Sequence, residues 1–346
     1  MTTVRMGGGT GRILVAGGYG AVGAGVSRTL AQWFPGRVVP GGRDGARARR
    51  LGGVRLDVGD PDHFRSVLDE LKDVAAVVLC VEPGDAAVAR LCLERGVHVV
   101  DIGATPRLLG AVEDLQPLAA AAGAAAVLSV GVAPGLTNLL AHRAHEAVGG
   151  AERLDLTVLL GSGEHHGADA VRWVVAGLGE PAPAPACRAV LPGYGKRTVH
   201  PFPFSDQYTL RRTLGVPQAA TRLCLDSRTM TGALFALRRT GLLRGGRRPG
   251  LRRLLTGAFG RVRVGGDGFA VRVDAYRGDR HAVRALVGRG QSRATGLMAA
   301  YTARELLTGR VPAGVHHIEQ LPALAGLPER LAAHGGAVQP VTGAAR

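Results

Sequence analysis

Near the start of the chain, Arg12-Ile13-Leu14-Val15-Ala16 leads into glycines spaced G-x-G-x-x-G at Gly18, Gly20 and Gly23, followed by a run with helical character to Trp33. A strand, a glycine turn and a helix in that order form the setting in which this spacing binds a dinucleotide. Gly18 is expected to make the tight turn, Gly20 to let main chain approach a pyrophosphate, and Gly23 to bring the helix against the strand. The helix start, with Tyr19, Ala21 and Val22 between the glycines, then offers N–H groups and a positive dipole end to phosphate.

The next strand-like segment, Arg37 to Val39, runs into Pro40-Gly41-Gly42-Arg43-Asp44. An acid roughly 20 residues past the fingerprint favours NAD, because it accepts from the ribose hydroxyls; an arginine there favours NADP, because it meets the 2′-phosphate. Arg43 stands at that distance from Gly23, so NADP(H) is the expected cofactor, with Arg47 as a second phosphate ligand and Asp44 keeping NAD in view.

Beyond this point strand and helix signals alternate. Val54 to Val58 reads as a strand whose Asp57 reaches the adenine side. Pro61 to Leu71 reads as a helix with Phe64, Val67, Leu68 and Leu71 on one face. Ala75 to Val81 is continuously apolar, as for a strand covered on both faces of a parallel sheet, and it ends in Val81-Glu82-Pro83-Gly84, a turn at the ligand-binding edge. Glu82 there is either a cofactor contact or a helix cap. A helix over 85–95, a strand over 97–101, a helix over 106–122 and a strand over 125–130 follow, ending in Gly131-Val132-Ala133-Pro134-Gly135-Leu136-Thr137-Asn138.

Taken together, Gly18-Tyr19-Gly20-Ala21-Val22-Gly23, Gly42-Arg43, Leu56-Asp57-Val58, Val99-Val100-Asp101 and Gly131 to Asn138 resemble the saccharopine dehydrogenase-like NADP-dependent oxidoreductases. The resemblance is dense over about residues 12–145. It implies an α/β chain with a Rossmann doubly wound parallel sheet, a second α/β (α+β) substrate and dimerisation domain, and a C-terminal helical segment returning to the first. The expected boundaries are a flexible tail at 1–11, an NADP-binding domain at 12–135, a substrate domain with a mixed sheet at 136–292 and the returning segment at 293–346. The nicotinamide ring is expected between Val81-Glu82-Pro83 and Gly131, Pro134 and Gly135, and the molecule is expected to be a homodimer.

The second half offers candidate proton donors. His165 and His166 follow a glycine loop after the strand-like Leu154 to Leu160, and imidazole is readily poised for proton transfer near neutral pH. Lys196 is one of only two lysines in a chain that otherwise uses arginine, which marks its ammonium as a proton donor or carboxylate anchor. Tyr194, Asp206 and Gln207 lie near turns where polar groups can line a pocket. His316 and His317 read as surface or packing residues.

The net charge of +16 comes almost wholly from arginine, in a chain rich in alanine, glycine and proline, so it marks composition bias rather than a nucleic-acid partner. A local feature is more pointed: between Ser227 and Gly266 there is no acid, while Arg228, Arg238, Arg239, Arg244, Arg247, Arg248, Arg252, Arg253, Arg261 and Arg263 alternate with leucines. An acidic carrier protein is one occupant for such a block, and a solvated helical face or an anionic membrane surface are others. Four dispersed cysteines suggest neither a metal site nor disulfides, and no apolar run suits an integral membrane segment or a secretory signal, so a cytoplasmic protein is expected. The expected activity is NADPH-dependent reduction of a C=N bond in a small amine-bearing substrate. An enoyl reductase working in trans on a carrier-bound chain and a non-catalytic NADP-binding sensor or scaffold are the alternatives.

Overall fold

Ile13 to Ala16, Ala76 to Leu79 and Ala125 to Leu128 are buried on both faces of one sheet, which is why they read as unbroken apolar runs. The computed structural model describes residues 11–164, 167–181, 184–243, 257, 265–334 and 337–339. Contacts divide the chain into two units, residues 1–131 with 295–327 and residues 132–294 with 328–346.

The first unit alternates strand and helix: β1 (Arg12–Ala16), α1 (Gly23–Trp33), β2 (Val38–Gly42), α2 (Gly45–Arg50), β3 (Val54–Arg55), α3 (Pro61–Leu71), β4 (Val74–Leu79), α4 (Ala87–Leu93), β5 (His98–Asp101), α5 (Pro106–Glu113), α6 (Gln116–Ala121) and β6 (Ala125–Leu128). In space the strands follow the order β3-β2-β1-β4-β5-β6, all parallel, which is the doubly wound arrangement with its switch point between β1 and β4. The helix expected over 106–122 is two helices, because Pro117 in the first turn of α6 has no N–H to continue the α5 ladder. Pro40, Gly41 and Gly42, expected as a loop, instead complete β2: Gly41 lies against Leu56, and the Gly41 carbonyl accepts from Gly18 N at 3.0 Å.

The second unit opens with the irregular segment Val132–Leu136 and continues through α7 (Thr137–Ala147), β7 (Arg153–Leu160), α8 (Ala168–Gly177), β8 (Cys187–Leu191), β9 (Gly195–Pro201), α9 (Asp206–Thr213), β10 (Gln218–Leu225), α10 (Arg228–Arg239), β11 (Gly268–Arg277) and β12 (Arg280–Arg289). β7 and β10 pair in parallel, and the other described pairs of this mixed sheet are antiparallel. The tail expected from Gly335 contributes a strand, β14 (Ala337–Gln339), that pairs with β12; the remainder of that tail and residues 1–10 lie outside the described residues.

A long helix, α11 (Gln291–Leu307), begins among the residues of the second unit and continues in the first. Gly296 lets it approach α1, since a Cβ there would stand 3.2 Å from the Val22 carbonyl, and Tyr301 packs on Trp33 with ring centroids 4.9 Å apart. β13 (Gly314–His317) then adds to the edge of the first sheet beside β6.

Candidate functional site

The glycine motif closes a tight loop between β1 and α1. Its left-handed residue is Gly17 (φ +74°) rather than Gly18, and Gly20 N donates to the Gly17 carbonyl at 2.8 Å. Gly18 is required for a different reason: a Cβ would stand 2.8 Å from Pro40 Cα and 2.7 Å from the Val15 carbonyl. Gly23 is the most confined, with a Cβ falling 2.1 Å from the Gly17 carbonyl oxygen. Ser27 Oγ donates to the Gly18 carbonyl at 2.9 Å and ties the loop to the second turn of α1. The N–H groups of Ala21, Val22 and Gly23 have no acceptor among the described residues. The result is a narrow main-chain cradle, with N–H groups at a helix start, that fits a pyrophosphate.

At the end of β2 the two candidate cofactor determinants have different employment. Asp44 caps α2, its carboxylate accepting from Arg47 N at 2.9 Å. Arg43 is exposed and has no ion pair among the described residues. Arg47 lies over the Tyr19 ring, 4.7 Å from its centroid, and donates to the Tyr19 carbonyl at 3.1 Å. An acid spent as a cap and a guanidinium left exposed fit a ribose 2′-phosphate better than bare ribose hydroxyls. Asp57 accepts locally from Gly59 N at 3.0 Å.

The carboxyl edge of β4 and β5 gathers further polar groups. Val81 sits beside Gly17, and Pro83 is buried. Glu82 does not cap α4, since Asp85 accepts from Ala87 N there; it takes the Thr105 hydroxyl at 2.7 Å. Asp101, at the end of β5, is fully enclosed, and burial pushes its carboxyl up to about 6 against the one hydrogen bond it accepts from Gly103 N at 2.7 Å, with the charge of Glu82 adding to the rise. Burial and the neighbouring Asp101 push the Cys80 thiol up to about 12. After β6, Ser129 Oγ meets His317 Nδ1 at 2.8 Å, and His317 Nε2 meets Glu113 Oε1 at 3.0 Å. His317 is thus a packing residue, but one that joins two polar side chains; the HH pair of the sequence gives no sign of which partners it meets.

In the second unit, Pro134 and Gly135 are buried, with Gly135 at φ +129° and its N–H held by Asn138 Oδ1 at 3.0 Å. Asn138 also donates to Thr209 Oγ1 at 3.3 Å, and Thr209 Oγ1 to the Asp206 carbonyl at the same distance. Asp206, expected to line a pocket, is fully buried instead: its Oδ1 accepts from Thr221 Oγ1 at 2.6 Å and Gln207 N at 2.7 Å, because α9 packs directly on β10. Gln207 donates to the Phe202 and Phe204 carbonyls at 3.0 Å.

Tyr194 and Lys196 lie on the β8–β9 hairpin. Tyr194 Oη reaches β11, where a Cβ on Gly268 would stand 2.0 Å away, and burial with the charges of Asp226 and Asp267 raises its phenol above the ordinary value. Lys196 is exposed, and its carbonyl accepts from Arg228 at 3.1 Å. Asp226 fastens the glycine loop after β7. It accepts from Ser162 N (2.9 Å), Ser162 Oγ (2.5 Å), Ser227 N (2.8 Å) and Gly266 N (2.6 Å); burial alone would raise its carboxyl, but these bonds outweigh it and hold the group below its usual range. Glu164 on the same loop accepts from Gln291 N and Ser292 N, both at 2.7 Å, capping α11. His165 and His166 lie outside the described residues, as do Arg244, Arg247, Arg248, Arg252, Arg253, Arg261 and Arg263. Of the rest of that block, Arg238 is buried and donates to the carbonyls of Pro201 and Glu180. No group of metal-binding side chains occurs among the described residues, and no helix among them is long and apolar enough to cross a membrane.

Residues 13–127 match the model of the saccharopine dehydrogenase NADP binding domain. Among solved structures, the chain is similar to C. glutamicum DAP dehydrogenase in complex with DAP (16% identity, 91% of this chain and 95% of that chain covered, TM-score 0.49). It is also similar to an engineered D-amino acid dehydrogenase bound to NADP+ (15%, 91% and 95%, 0.47) and to a dihydrodipicolinate reductase from Paenisporosarcina sp. TG-14 (10%, 90% and 98%, 0.41).

Proposed function

We propose that this chain, whose residues 13–127 match the saccharopine dehydrogenase NADP binding domain, is an NADP-dependent oxidoreductase that reduces a C=N bond in a small amine-bearing metabolite of specialised metabolism. The observation that carries the cofactor half of this reading is the contrast at the end of β2, where Asp44 is a helix cap and Arg43 is exposed. The choice of C=N chemistry rests on the family resemblance.

When bound, NADPH supplies the reducing equivalent. The chain's own work begins at the glycine loop, where the N–H groups of Ala21, Val22 and Gly23 would hold the pyrophosphate and Arg43 with Arg47 would neutralise the 2′-phosphate. Val81, Glu82, Pro83 and Gly131 are assigned to the nicotinamide end, with the Glu82–Thr105 pair fixing the turn. The nitrogen that becomes an amine needs a proton. His166, Lys196 and Tyr194 are the assigned donors, Lys196 because its ammonium is exposed, and Tyr194 because its phenol stays protonated at neutral pH. Asp206 acts through packing.

Titration of the purified protein with NADPH and NADH tests the cofactor assignment. Wild type is expected to prefer NADPH, and Arg43→Ala to lose about tenfold or more of that affinity, the worth of a charge-assisted pair, with NADH little changed. Loss of reduced-nicotinamide absorbance with imines, and none with carrier-bound enoyl thioesters, would support the C=N reading; the reverse would replace it with enoyl reduction. Tight cofactor binding with no turnover on either class would favour the sensor or scaffold.

A further inference from the structure

Tyr19 stands between Gly18 and Gly20, a position from which phosphate binding asks only for main chain. Its side chain is nevertheless fully engaged with the end of β2. The ring lies against Gly42, where a Cβ would stand 2.5 Å from Tyr19 Cζ and Oη. The hydroxyl accepts from Asp44 N at 2.8 Å and lies 3.4 Å from the Asp44 carbonyl, to which it donates. Arg47 covers the ring and donates back to the Tyr19 carbonyl.

We propose that Tyr19 is a positioning residue that sets the preference for NADP over NAD. Asp44, next to Arg43, is the acid that could meet ribose hydroxyls in an NAD site, and here its N–H donates to Tyr19 while its Oδ1 accepts from Arg47 N. The same latch fixes the turn bearing Arg43 and, through the ring, the place of the Arg47 guanidinium. A guanidinium held over an aromatic ring keeps its remaining N–H groups for phosphate oxygens. Tyr19 therefore couples the pyrophosphate loop to the 2′-phosphate turn, two segments 25 residues apart. This inference rests on the reading of the site as one for NADP.

The test uses the full chain and two pairs of probes, NADPH against NADH and adenosine 2′,5′-bisphosphate against 5′-AMP, with binding followed by nucleotide fluorescence or calorimetry. Tyr19→Phe keeps the ring and removes the latch; it is expected to weaken NADPH and the bisphosphate about fivefold and to leave NADH and 5′-AMP within about twofold. Gly42→Ala, whose added methyl displaces the ring, is expected to act in the same direction. Equal losses for both members of each pair, or an unchanged preference in both variants, would overturn the role of Tyr19 while leaving the NADP site standing. A wild type with no preference for NADPH would overturn the site reading and this inference with it.

Discussion

Ser129 Oγ and His317 Nδ1 lie 2.8 Å apart, joining residues 188 positions distant in the chain, and Ser129 holds a left-handed backbone (φ +59°) while fully buried. The bond fastens β13 to the residue that follows β6. Two contributions can be separated by substitution. Ser129→Ala loses the bond and keeps the strained backbone, whereas Ser129→Gly loses the bond and relieves the strain, so the alanine variant is expected to be less stable by about 1 kcal/mol. Chemical denaturation of the pair reads this difference. His317→Leu strips both neighbours of a partner and is expected to cost about 2–3 kcal/mol; a cost under half of that would mean that Glu113 and Ser129 are satisfied elsewhere.

Asp101 predicts a pH dependence. Its folded pKa of about 6 lies above the ordinary 3.8, so the folded state holds the proton more tightly. The burden on stability is absent below the unfolded value, grows as pH rises between about 4 and 6, and is complete above that. Asp101→Asn keeps an acceptor for Gly103 N without the charge. It is expected to be more stable than wild type by up to about 3 kcal/mol at pH 8, with the gain vanishing near pH 4. A gain that does not change with pH would show that the carboxyl is not the source.

Gly23 and Gly25, two positions apart in α1, should respond oppositely to alanine. The Gly23 methyl meets the main-chain carbonyl of Gly17, which cannot swing aside, so Gly23→Ala is expected to abolish measurable NADPH binding and to cost about 1–3 kcal/mol of stability. Gly25 has open space around it, and Gly25→Ala is expected to stabilise by roughly 0.5–1 kcal/mol through helix propensity. Thermal melts with and without NADPH distinguish the two.

Asp226→Ala is expected to free the Ser162 loop from Gly266 and Ser227, and faster amide exchange at Ser162, Ser227 and Gly266 is the measurement. Since the folded carboxyl lies below its usual range, the stability it adds is present above the unfolded pKa and falls away in acid. The gap between wild type and variant should therefore narrow as pH drops through the carboxylate range.

The first sheet was legible because its strands are buried on both faces, leaving runs such as Ala76 to Leu79 with no polar interruption. The place of Arg43 just past β2 was legible because distance from the glycine motif has a fixed meaning in this fold. β8 was not, since Cys187 to Val190 are mostly exposed and carry no alternating apolar signal. Neither was the task of Asp206, whose neighbour Thr221 arrives on a strand that the sequence does not announce. The left-handed residue is Gly17 where spacing points to Gly18, because spacing fixes a motif to within a residue while the sign of φ depends on the turn actually made. Ser129, His317 and Glu113 meet only through the pairing of β6 with β13, a relationship with no local trace.

That pairing also sets an order of events during synthesis. The nucleotide-binding sheet is begun by Arg12–Ala16, yet its last strand and the α11 turns that pack on α1 come from residues 295–327. Until those are made, β6 has an open edge, and an unpaired edge invites non-native pairing. A nascent chain halted near residue 290 would thus carry every glycine of the motif and still lack the strand and helix that complete the sheet around them.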